Sequence, residues 1–176
     1  MRMSSALLPR AFELVGRERK FTVLDLGSPT PQSVRFFNQF SCQVYFAGLL
    51  EADGEEDDGN GLDLPTDIRF DVCLFWDVLN YLNGESLERV ARVVTDRLND
   101  DCRGHAFFAF SQSVPYKGLT FGIEAVDKLV VERDPGRVPH VRTWRDLEAI
   151  LWPFTNAAAT LLQGNRQELL LVNHSI

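Results

Sequence analysis

The sequence is poor in the residues that build metal and redox sites. Its 176 residues include three cysteines and three histidines. Cys42, Cys73 and Cys102 are odd in number, widely spaced and form no C-x-x-C pair, so they supply neither a disulfide framework nor a zinc site. His105, His140 and His174 are equally scattered, and no metal constellation is expected. A basic excess is missing too: 18 Lys and Arg stand against 25 Asp and Glu, for a net charge of −7 and a pI near 4.9. That balance argues against a non-specific grip on nucleic acid or on an anionic membrane. No apolar run approaches the roughly 20 residues of a membrane span, and no secretory leader is legible. A cytoplasmic location is the expectation. The sequence also lacks G-x-S-x-G, G-x-x-x-x-G-K-[ST] and H-E-x-x-H, so no catalytic residue is assigned.

What is present reads as one α/β domain over residues 1–176, large enough for a single core. The spacing of Ala6, Leu7, Ala11, Leu14 and Val15 predicts an amphipathic helix over 4–17, with Pro9 tolerated near its start. Strands are predicted at 21–26, 43–47, 71–76 and 106–111. Between them fall a helix at about 31–39, opened by Pro31, and one opened by Asn83 and Gly84 and closed by Asn99-Asp100-Asp101. Residues 51–61 crowd six acids and three glycines, which predicts a mobile solvated loop. Residues 112–126 read as a loop, 127–132 as a short strand, and Trp144–Leu151 as a helix stopped before Pro153. The chain closes on an antiparallel hairpin, Ala159–Gln163 and Glu168–Val172, around Gly164-Asn165.

Two segments carry a family likeness. The first is Val23-Leu24-Asp25-Leu26-Gly27-Ser28-Pro29-Thr30-Pro31, a strand, glycine turn and helix start; the second is Trp76-Asp77-Val78-Leu79-Asn80-Tyr81-Leu82 after an apolar strand. Together they resemble the class I S-adenosylmethionine-dependent methyltransferases. The resemblance implies a Rossmann-like, mostly parallel twisted sheet with an antiparallel C-terminal hairpin. Only 17 residues, Leu49 to Pro65, are left for a helix and a third strand, so that strand is expected to be short or missing.

The same resemblance assigns Asp25, Gly27, Ser28 and Thr30 to the methyl donor, with Glu51, Asn60, Trp76 and Asp77 around it. Asn80 and Tyr81 would face the methyl acceptor. Against the family's G-x-G-x-G, this loop has Gly27-Ser28-Pro29-Thr30-Pro31. Each proline adds bulk and removes an N–H donor. Gly48 stands where an acid normally bonds the ribose hydroxyls, and Asn60 where an acid meets the adenine. Two readings follow. One is a methyltransferase-fold pseudoenzyme, a protein-interaction or regulatory module that binds S-adenosylmethionine weakly or not at all. The other is an atypical methyltransferase, using Asp77, Asn80 and Tyr81 to place an acceptor. An interaction module also needs exposed apolar surface, for which Phe36, Phe37, Phe40, Trp152 and Phe154 are the sequence candidates. No partner is named by the sequence, and its oligomeric state is open.

Overall fold

The computed structural model describes residues 1–16, 18–50, 62–134 and 136–174. At its centre lies β4 (Phe70–Trp76), an apolar run buried at every residue, as a parallel strand covered on both faces must be. β2 (Phe21–Asp25) flanks it on one side and β5 (Leu98–Ala109) on the other, both parallel to it. β3 (Cys42–Phe46) continues the parallel set beyond β2. β8 (Phe154–Leu162) and β9 (Arg166–Asn173) complete the order β3-β2-β4-β5-β9-β8. Only β9 runs against the others. Its hairpin with β8 turns over residues 163–165, where Gly164 (φ 75°) and Asn165 (φ 60°) are left-handed, a backbone state that glycine and asparagine favour. Among the described residues no strand lies between β3 and β4. The predicted mobile loop 51–61 falls outside them.

Local signals set the helices. In α2 (Pro31–Phe37), Thr30 is the N-cap, its hydroxyl accepting from Ser33 N at 3.1 Å, and Pro31 occupies the first turn. In α3 (Gly84–Thr95), the Asn83 side chain accepts from Ser86 N at 2.8 Å, and Leu87, Val90, Ala91 and Val94 form the buried stripe.

Four expectations are corrected. The N-terminal helix shrinks to α1 (Leu8–Ala11), because β1 (Arg2–Ser4) pairs with β7 (Lys128–Arg133). The buried Glu168 carboxylate then accepts from Ser5 Oγ and from the amides of Ala6 and Leu7, fixing the bend between β1 and α1. Asn99-Asp100-Asp101 closes no helix. These residues open β5, where Asn99 Nδ2 donates to Asp71 at 2.9 Å while the other two stay exposed to water. Residues 119–125 form β6 (Leu119–Ala125) within the predicted loop, giving a small antiparallel sheet in the order β1-β7-β6. Gly122 is there for close approach, not for a turn: a Cβ would lie 2.8 Å from Thr30 Oγ1. The last helix, α4 (Trp144–Leu147), starts where expected, on a Thr143–Asp146 capping box, but ends early.

The cysteines pack as small apolar groups. Cys73 and Cys102 are buried on neighbouring strands with their sulfurs 3.9 Å apart, and burial raises the Cys102 thiol well above its ordinary pKa. Cys42, half-buried, is raised by the same cause. Alkylation of the native protein, read by mass spectrometry, should therefore modify Cys42 first. The other two should react only after unfolding. Rapid native labelling of Cys73 or Cys102 would show that β4 and β5 open locally.

Candidate functional site

The chain reverses its order at β2. From there it passes to β3 on one side and returns to β4 on the other, so β2 and β4 leave a crevice beyond their carboxyl ends. Open α/β sheets bind their ligands at such a point. Gly27 ends one wall and Trp76 the other.

Trp76 fills much of that crevice. Its backbone is left-handed (φ 49°), an uncommon state for a bulky residue that persists only where the surroundings enforce it. The indole Nε1 donates to Asp25 Oδ1 at 2.7 Å, and the same oxygen accepts from Gly27 N at 2.8 Å. The ring lies so near Gly27 that a Cβ there would stand 3.1 Å from Trp76 Cδ1. Phe121 of β6 stacks on the indole at 5.2 Å, and Phe107 of β5 stacks on Phe121 at 4.8 Å. Asp25 is buried, and loss of solvation pushes its carboxyl up to about 7 despite the two hydrogen bonds.

The small sheet is fastened over this stack. Ser33 Oγ accepts from Ile123 N at 3.0 Å and Asp77 Oδ2 from Leu119 N at 3.2 Å. Asp77 also pairs with Arg166 Nη1 at 3.2 Å, deep inside the protein. The Arg166 guanidinium lies 4.5 Å from the centre of the Tyr116 ring. Burial pushes Asp77 up to about 6, with the Arg166 charge opposing, so it is mostly ionised at neutral pH.

Of the sequence-assigned residues, Gly27, Ser28, Thr30, Trp76 and Asp77 come together around a cavity of about 260 Å³, closed by Leu50, Phe121, Asp134 and Arg137 among others. Asp25 stands behind it, against Trp76. Asn80 is not in the wall. Its side chain is fully buried, donating to the Phe107 carbonyl at 3.2 Å and accepting from Arg142 N at 3.4 Å. Tyr81 presses its hydroxyl over Gly118, where a Cβ would lie only 1.3 Å away, and burial raises that hydroxyl's pKa. Glu51 and Asn60 lie outside the described residues. Gly48 donates its N–H to the Gly27 carbonyl at 3.1 Å and is left-handed (φ 56°), so an acid at this position would carry a cost of about 1–2 kcal/mol.

Sequence reading missed Phe121, Tyr116 and Arg166. Arg166 had a signal: an arginine three residues before the apolar run 169–172, next to a tight turn, calls for a partner. Ser5, His105 and Glu168 form a second buried polar group, with His105 Nε2 2.8 Å from Glu168 Oε1. It is enclosed by protein and joins α1 to β5 and β9.

Solved methyltransferases share this architecture. The S-adenosylmethionine-dependent methyltransferase of Mesorhizobium loti matches with a TM-score of 0.59 at 13% identity, over 96% of this chain and 98% of that one. The 1,6-didemethyltoxoflavin-N1-methyltransferase of Burkholderia thailandensis, solved with 1,6-didemethyltoxoflavin and S-adenosylhomocysteine, matches at 0.55 and 16% identity, over 97% and 79%. An S-adenosylmethionine-dependent methyltransferase of Clostridium acetobutylicum gives 0.51 at 11%, over 88% and 84%. No protein-family profile and no curated protein matches the sequence. The chain has the class I methyltransferase fold, a Rossmann-like sheet ending in an antiparallel hairpin. Among the described residues, no helix is long and apolar enough to cross a membrane.

Proposed function

We propose that this chain uses the methyltransferase fold as a protein-interaction or regulatory scaffold, with the donor crevice given over to its own side chains. The observation that carries the reading is the Trp76 indole, lying on Gly27, bonded to Asp25 and covered by Phe121. S-adenosylmethionine fits these residues poorly. The loop backbone would have to approach it closely and donate to it, but Pro29 and Pro31 offer no N–H, and the Gly27 N–H is spent on Asp25. The ligand's positively charged groups call for an unpaired ionised acid, whereas Asp25 is held largely neutral below pH 7 and the Asp77 charge is already met by Arg166. The 260 Å³ that remain are less than the roughly 300–1,000 Å³ of ordinary ligand sites.

A second reading, an atypical methyltransferase, draws on the same cavity, because Gly27, Ser28 and Thr30 do line it. Methyl transfer asks mainly for alignment of donor and acceptor, so the lack of an assigned acid or base is no obstacle to it. Titration calorimetry with S-adenosylmethionine separates the two. Hydrogen bonds are worth about 0.5–1.5 kcal/mol each, and about 1.5–3 when charged. Losing the ribose acid and loop donors removes on the order of 3–5 kcal/mol, which moves a micromolar ligand toward millimolar. The expected result is no heat at micromolar protein. A micromolar Kd, lost in Gly27→Val, would overturn the scaffold reading and establish the enzyme one.

A further inference from the structure

Among the described residues the two sheets have four outer edges, and three are short or blunted. β1 has three residues and begins at Arg2. β3 has five. β6 has seven, but its outward amides at Leu119 and Ile123 are bonded to Asp77 and Ser33. β8 is different. It has nine residues and, among the described residues, pairs only with β9. Edge strands of soluble proteins are normally guarded by lysine, proline, shortness or cover, because an open row of N–H and C=O groups recruits another strand. The one such device in β8 is a bulge between Asn156 and Ala158, which leaves Ala158–Leu162 regular.

Charge narrows the occupant. Residues 149–165 contain no charged side chain, the longest such run in the sequence. A basic partner would find no acid on this edge to hold it. Two copies of a chain of charge −7 repel over most of their surface, and least where neither carries charge. Exposed apolar groups complete the pattern. Trp152, 53% exposed, stands at the start of β8, and Leu161, 61% exposed, near its end. Exposed Phe110 and Val114 belong to a segment tied to Asn165 of the same hairpin's turn. Of the five apolar residues the sequence offered for docking, Trp152 alone is exposed; Phe36, Phe37 and Phe154 are core, and Phe40 is half-buried.

We infer that β8 is a self-association edge, pairing antiparallel with β8 of a second copy to join the two six-stranded sheets. A two-fold axis across β8 makes such an edge self-complementary: the Trp152 end of each copy meets the Leu161 end of the other. The inference is independent of what the crevice binds.

Sedimentation equilibrium from about 5 to about 200 μM tests it. The expected species at the upper end has twice the 20.0 kDa of the chain. Ala159→Lys with Leu161→Lys, both at exposed positions of β8, should weaken dimerisation at least tenfold, whereas Val34→Lys, exposed on the helix that joins β2 to β3 at the opposite side of the sheet, should not. Hydrogen exchange on the unaltered protein needs no variant: amides within 155–161 should slow as concentration rises. A monomer throughout overturns the inference. So does a dimer that survives both lysines, or one whose β8 amides exchange at the same rate at both concentrations.

Discussion

Arg166→Met is expected to lower the stability of the fold by about 3–5 kcal/mol, the usual cost of leaving half of a buried ion pair behind. For a chain of this length that is a fall of roughly 6–20 °C in melting temperature. The residue left behind is Asp77, whose carboxylate would keep Leu119 N and the Tyr116 hydroxyl but lose the Arg166 cation at hydrogen-bond distance. Its pKa, already about 6 through burial, would rise further, and proton uptake at neutral pH would cap the loss. The double variant Asp77→Asn, Arg166→Met should recover much of the difference, because it removes both charges together. Urea unfolding of the two singles and the double gives the coupling directly. A single-variant cost below about 1 kcal/mol, the range of exposed pairs, would mean that this pair is solvated.

Those two residues also mark where sequence reading stops. Asp77 falls at the end of an apolar strand, where the family places ligand contacts, and nothing local distinguishes a ligand acid from one neutralised by an arginine 89 residues later. By contrast β2, α2, β4 and α3 are legible because their determinants are local: mostly apolar runs interrupted by Thr22 and Asp71, Thr30 and Asn83 as caps, Pro31 in the first turn. The closing hairpin is legible for the same reason, since Gly164-Asn165 specifies its turn.

The small sheet was hidden by its own packing. Gly118 and Gly122 punctuate 112–126 like a loop, yet both are glycine because Tyr81 and Thr30 press against them from elsewhere in the fold. The N-terminal segment fails similarly. Its helical spacing is real, but Glu168, more than 160 residues away, captures the amides of Ala6 and Leu7 where that helix would continue. Local pattern loses to one buried carboxylate that needs four donors.

Asp25 offers the prediction that reaches furthest into function. Its carboxyl is raised from 3.8 to about 7, mainly by burial, so the folded protein binds a proton there more tightly than the unfolded chain does. The stabilisation is complete below about pH 4 and is lost as pH rises through about 7. At about 1.36 kcal/mol per pKa unit, it amounts to on the order of 4 kcal/mol. Asp77, raised to about 6, adds a loss of the same sign. Glu168 and Asp146, both lowered, act oppositely and matter only at acid pH. The expected comparison is therefore between Asp25→Asn and the unaltered protein from pH 5 to 8. Asn keeps an acceptor for Trp76 Nε1 and Gly27 N but cannot ionise. At pH 5 the variant should be the less stable, by about 1–3 kcal/mol for the buried amide donor. By pH 8 that deficit should shrink or reverse, because only the unaltered protein then carries a desolvated charge. Parallel melting curves across the range would mean that Asp25 ionises normally, leaving an acid at the crevice able to meet a cationic ligand. A curve for the unaltered protein that flattens on adding S-adenosylmethionine would make the same case from the ligand's side, since a bound cation beside Asp25 draws its pKa back down.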